Sequence, residues 1–155
     1  MKIPSDLTEK ARKTIAQAIN PLIADAFALY VKTKNFHWHL HSPHFRDYHK
    51  LFDEQAAQIL ETIDTLAERL RKLDQPAITS IGHIHRLQKV KDEDQTNLPA
   101  EAMLRMLMED NQAHTARMRK AHDICQKQSD VATTSILEIF IDEAERRAWF
   151  LSSSL

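Results

Sequence analysis

The chain has 155 residues, one glycine, five prolines, a single cysteine and a formal net charge of −1. That length suits one domain spanning 1–155 with a real core, and so little glycine and proline favours long helices joined by few connections, an all-α fold. The near-zero charge offers no broad attraction to nucleic acid or acidic membranes, and the lone Cys125 excludes a disulfide framework within one chain. The opening MKIPSDLTEKARK has no apolar signal core, and no apolar run is expected to approach membrane-spanning length. The expected location is therefore the cytoplasm.

In chain order, Ser5 or Asp6 is placed to cap a first helix that runs to about Trp38. Pro21 should kink it or mark a start after Asn20. Leu40 to Ser42 form the turn, with Ser42 as cap and Pro43 as the first residue of a second helix ending near Leu73. Along that helix Phe45, Tyr48, Phe52, Ala56, Ile59, Ile63, Leu66, Leu70 and Leu73 recur at steps of three and four, one buried stripe. Residues 74–97 are too many for a structureless connection; a short helix from about Ile78 to Gln88 is predicted, with Ile81, Ile84 and Leu87 on one side. Leu98–Pro99 opens a third helix to about Gln126. Asp130 caps a fourth, whose inner stripe is Leu137, Phe140, Ala144, Ala148 and Leu151. Four helices with one long crossover between the second and third, carrying a short extra helix, describe a ferritin-like bundle.

The chemistry concentrates in Asn35–Arg71, which holds five of the nine histidines. On the second helix His49, Asp53, Asp64 and Glu68 fall within roughly 100° of one another, centred about 120° from the apolar stripe. Ala57, Leu60 and Ala67 lie among them, which is not the composition of a plain solvated face. It reads as a second packing surface that carries metal ligands and meets another chain.

A di-iron site inside a four-helix bundle uses a Glu-x-x-His pair on each of two helices. This chain has none: Glu109 and His114 have the wrong spacing, and the fourth helix has no histidine. Heights along the helices suggest another assembly. His37 lies about 7 Å from the turn, His49 and Asp53 roughly 10–17 Å, and Asp64 and Glu68 roughly 33–39 Å. One antiparallel chain cannot bring His37 to Asp64. A two-fold partner crossing near Ala57 inverts heights about a midpoint of roughly 23 Å and can do so. Two imidazoles with Asp53, Asp64 and Glu68 suit Fe(II), with Zn and Mn as competitors, and lack the thiolates of a structural zinc site.

Taken alone, Asp64 and Glu68 read as a solvated pair or as partners of Arg69 and Arg71. His39, His41 and His44 read as surface or turn residues, His83 and His85 as part of the connection, and His114 and His122 as the polar edge of the third helix. Met103, Met106, Met108 and Met118 are core filler rather than haem ligands. Trp38, beside His37, reads as packing, with oxidation near an iron centre as the alternative. Asp123 and Asp130, near the last helix junction, are candidates for an acidic iron entry path.

The run NFHWHLHSPHFRDYHKLFDEQ…IDTLAERLRKL resembles the signature of the Dps family, the DNA-binding proteins from starved cells or miniferritins. The likeness continues more weakly through FALYVKTKNFHW and DEAERRAWFL. It implies a hollow dodecamer that oxidises Fe(II), preferentially with hydrogen peroxide and alternatively with dioxygen, and stores ferric mineral, protecting the cell and its DNA. By motif position, it implies that His37, His49, Asp53, Asp64 and Glu68 are the ferroxidase ligands, at a two-fold interface. The sequence departs from the family where glycine is common, at His41-Ser42 and Asp74, and has no Lys/Arg-rich tail. DNA binding is therefore expected to be weak or absent, and nucleoid association follows only if DNA is bound. Two competing readings are a DNA-compacting architectural protein with a vestigial metal site and a purely structural helical oligomer.

Overall fold

The computed structural model describes residues 2–155. It contains α1 (Glu9–His39), α2 (Phe45–Lys72), α3 (Ile81–Leu87), α4 (Ala100–Lys127) and α5 (Val131–Ser152), with no strand among the described residues. α1–α2 and α4–α5 are antiparallel hairpins that pack into a four-helix bundle, and the crossover between them carries α3 against α1. This is the ferritin-like arrangement expected from the sequence.

The apolar stripes close a continuous core. Ile15, Ile19, Leu29 and Phe36 of α1 meet Phe52, Ile59 and Leu70 of α2, Leu107 of α4 and Leu137 of α5 there. Met103 and Met118 are buried in that core, with Met106 and Met108 packed against it. Ile84 of α3 is buried and Leu87 half-buried, but Ile81 is exposed, so the inward side of α3 is narrower than expected. By length and composition alone α1 could cross a bilayer, contrary to the reading of its sequence. Its apolar side chains instead supply the bundle core, and buried Asp25 and Lys32 sit among them.

Helix boundaries differ from expectation where a local turn captures the cap. α1 starts at Glu9, capped by Thr8, whose Oγ1 accepts from the Ala11 N–H. Ser5 accepts from the Leu7 N–H before the helix begins. Pro21 lies within α1 without ending it; the missing N–H removes one rung only. Ser42 does not cap α2. Its carbonyl accepts from the Phe45 N–H at 3.0 Å and its hydroxyl from the His44 N–H. Residues 42–45 thus form a turn with Pro43 second, where its fixed φ fits. α2 begins two residues later than expected.

α2 ends with Asp74 at φ 57°, its N–H bonded to the Arg71 carbonyl and the Gln75 N–H to Leu70. α4 ends alike, with Ser129 at φ 60° and the Asp130 N–H on the Cys125 carbonyl. Both are left-handed helix stops that glycine usually makes. Asp130 then caps α5 through the Thr133 N–H.

The seam between α2 and α5 is bridged by polar side chains at three levels. Tyr48 Oη donates to the Ser154 carbonyl near the top, and Arg69 Nη2 pairs with Asp130 Oδ1 at 2.7 Å near the bottom. In the middle, buried Arg147 donates from Nε to Asn111 Oδ1 at 2.7 Å and from Nη1 to Gln58 Oε1 at 2.8 Å. A guanidinium with neutral amide partners thus occupies the bundle interior. Its burial pulls Arg147 down to about 10.

Candidate metal centre

The C-terminal turn of α1 and the second turn of α2 face each other across the short connection, and there the two imidazoles meet. The rings of His37 and His49 stack at a centroid separation of 3.7 Å and 16° between planes. His37 Nδ1 lies 2.7 Å from the His49 carbonyl oxygen, and His49 Nδ1 lies 2.9 Å from that of His37. A carbonyl oxygen only accepts, so each Nδ1 carries a proton, and in its neutral form each ring presents a lone pair at Nε2. Phe45 stacks on the outer side of His49 at 4.8 Å. The apolar stripe of α2 was expected to begin with this residue; instead Phe45 is exposed and flanks the imidazole pair.

Asp53, one turn beyond His49, aims Oδ1 at His37 Nε2 across 3.8 Å, too long for a hydrogen bond between them. The same oxygen is paired with Lys34 Nζ at 2.8 Å. That hydrogen bond is the main reason the Asp53 carboxyl titrates below its ordinary value; partial desolvation opposes it, and the nearby imidazoles reinforce it. Lys34 sits three residues before His37, on the same side of α1. Sequence reasoning passed over it, although that spacing was the available signal. Lys34 also lies 5.6 Å from the ring centroid of Trp38, which is exposed rather than packed within the chain.

Asp64 and Glu68 are exposed on α2, on the face that carries Asp53, Ala57 and Leu60, all exposed too. Neither carboxylate has an ion-pair partner among the described residues. The two arginines that might have neutralised them are occupied elsewhere: Arg69 with Asp130, and Arg71 with the Gln75 carbonyl at 2.7 Å. Asp64 is fifteen residues beyond His49 on one continuous helix, about 22 Å away. Accordingly, no group of three or more His, Cys, Asp or Glu side chains closes into a metal site among the described residues of a single chain.

The remaining candidates fall away for physical reasons. Asp130 is buried against Arg69 and spends its other hydrogen bonds on Thr133, so it cannot line an open acidic path. Asp123 is exposed. His114 is not at a polar edge: it is buried, its titration is pushed down to about 3 by burial and then by Arg147 and Arg117, and its Nδ1 has no partner among the described residues. His122 does lie at the edge of α4, 3.0 Å from Glu138. His39, His41 and His44 are exposed, as are His85 and, in part, His83 of α3. Buried Cys125 is pushed up to about 12 and is no ligand.

The donor chemistry fits a divalent transition ion: two Nε2 lone pairs oriented by main-chain carbonyls, an ionised Asp53 facing one of them, and two unpaired carboxylates on the same outer face. Bundle, crossover helix and this imidazole–carboxylate end together define a ferritin-like protein. A ferritin-like domain family matches residues 16–155, and the chain belongs to that family, within its Dps branch.

The chain is 31% identical to an uncharacterised low-temperature-induced protein of Nostoc sp. over 98% of this chain and 86% of that one. It is 27% identical to DNA protection during starvation protein 2 of Bacillus anthracis, over 92% and 97% of the two chains. Among solved structures, DpsC from Streptomyces coelicolor superposes with a TM-score of 0.95 at 27% identity, covering 99% of this chain and 90% of that one. Membership gives the general class, iron storage and stress protection.

Proposed function

We propose that this protein takes up Fe(II) as substrate, oxidises it with hydrogen peroxide and retains the ferric product inside a hollow homo-oligomer, a dodecamer by family likeness. Dioxygen is the slower alternative oxidant, and Zn and Mn are competing ions. Each site is shared between two chains. One contributes His37, His49 and Asp53; its two-fold partner contributes Asp64 and Glu68. The observation that carries this reading is the pairing of two pre-oriented imidazoles with Asp53 at one end of α2, while two carboxylates without ion-pair partners wait on the same face some 22 Å away. The exposed Ala57 and Leu60 between them favour a close crossing of two α2 helices.

In this arrangement the imidazole nitrogens select for a borderline ion over Ca(II) or Mg(II). The carboxylates stabilise the charge that rises by one per iron. Oxidation removes one electron from each Fe(II), and cleavage of the peroxide O–O bond takes two electrons. A pair of irons per peroxide thus avoids releasing hydroxyl radical. The inferred role is protection of the cytoplasm from iron-driven oxidation.

The test is stoichiometric. Fe(II)-loaded protein mixed with peroxide should consume one peroxide per two irons, and a spin trap should report far less hydroxyl radical than protein-free iron. A ratio of one to one, with radical yield equal to free iron, would remove the ferroxidase reading.

A further inference from the structure

We propose that Lys34 is a built-in placeholder cation that occupies the metal-facing oxygen of Asp53 and is exchanged onto Trp38 when a divalent ion arrives; this rests on the metal-site reading above. Lys34 Nζ binds Asp53 Oδ1 at 2.8 Å, and that oxygen is the one facing His37 Nε2 across 3.8 Å. The ammonium therefore engages the very atom that a metal held by His37 and Asp53 would need. It is not locked there. Lysine is a compact charge on a flexible stem, and the Trp38 ring, one helical turn further along α1, lies 5.6 Å from Nζ. A Trp face is a good second resting place for an ammonium.

Lys34 is also the better buried partner, with 19% of its side chain exposed against 57% for Asp53. The lysine thus reaches Asp53 from the protein side, while the carboxylate opens to solvent, from which metal arrives. The consequence is an affinity threshold. The site is charge-satisfied when empty, and an ion must displace Lys34 to enter.

The experiment uses the full-length assembled protein and Zn(II), which binds without being oxidised. Titration calorimetry at low ionic strength should show Lys34→Met binding Zn(II) about fivefold more tightly than the parent, with the gap narrowing as salt is raised. Independently of any variant, amine-reactive footprinting read by mass spectrometry should find Lys34 in the parent labelled faster with Zn(II) than without, while exposed Lys50 stays constant. Equal or weaker affinity in Lys34→Met, or a Lys34 labelling rate indifferent to Zn(II), overturns the placeholder role. Failure of the underlying reading looks different: Zn(II) binding would survive unchanged in both His37→Ala and Asp53→Ala.

Discussion

His37 and His49 hold each other through the main chain: each ring donates Nδ1–H to the other residue's carbonyl oxygen, at 2.7 and 2.9 Å. The orientation of both Nε2 atoms is therefore set by the backbone of the α1–α2 turn, before any metal or partner chain arrives. What remains adjustable is the stacking on either side.

Phe45 is the outer member of that stack, 4.8 Å from His49 and 44% exposed. Replacing it with alanine should cost little stability, because little apolar surface is buried there. It should weaken Zn(II) or Fe(II) binding by roughly tenfold, the scale of losing a group that orients a metal ligand. Paired thermal melts and metal titrations check this. A variant that melts far below the parent yet binds metal unchanged would make Phe45 a packing residue only.

Asp130 is the ion-pair partner of Arg69 and the cap of α5. Asp130→Ala should destabilise the protein by about 3 kcal/mol, since it strands a half-buried guanidinium and removes a cap. Iron uptake by the fraction that remains folded should keep its rate. Normal stability with slowed uptake would return Asp130 to an entry path.

His114 makes stability depend on pH. In the unfolded chain it takes up a proton below its ordinary 6.5, while in the folded protein burial delays protonation until about 3. The unfolded state binds more protons throughout that window, so the contribution is full above 6.5 and is lost as pH falls towards 3. The slope is about 1.4 kcal/mol per pH unit. Denaturant unfolding at pH 7 and pH 5 should differ by roughly 2 kcal/mol more in the parent than in His114→Gln. Equal losses in both would show that another group governs acid stability.

Ser129 holds φ 60° at the α4 stop and Asp74 holds φ 57° at the α2 stop. Ser129→Gly should raise stability by roughly 1 kcal/mol, and Asp74→Gly by less, because aspartate tolerates the left-handed region better. Asp74 also lies 3.9 Å from Arg12, a contact its glycine variant gives up. Melting curves of the two variants decide the order.

Much of this was legible in the sequence because it is periodic. The steps of three and four through Phe52, Ile59, Ile63, Leu66 and Leu70 marked α2 and its buried side, and the spacing of Asp53, Asp64 and Glu68 marked a second, exposed side, with His49 half-buried at its end. The bounds of α1 and α2 were less legible, since Ser5 and Ser42 are good caps that local turns had already claimed. Lys34 was missed because its three-residue spacing from His37 is common on any helix and marks the site only once its distance to Asp53 is known. His114 was misplaced because its neighbours in sequence are polar, while its neighbours in space belong to the closed middle of the bundle. The Arg147 cluster escaped for the same reason: its amide partners Asn111 and Gln58 come from two other helices.

On the proposed reading each metal site draws His37, His49 and Asp53 from one chain and Asp64 with Glu68 from its two-fold partner, and complementation between two inactive variants separates this from a site held within one chain. His37→Ala and the double variant Asp64→Ala, Glu68→Ala should each lose most rapid peroxide-dependent iron oxidation as homo-oligomers. Dissociated, mixed and reassembled, they form hybrid dimers in which one site collects both defects and the other receives intact His37 and intact carboxylates. Activity should therefore reappear in the mixture although neither parent has it, at about a quarter of the wild-type site count for random pairing of equal amounts. Hybrid dimers verified by native mass spectrometry that remain inactive would contradict the shared site.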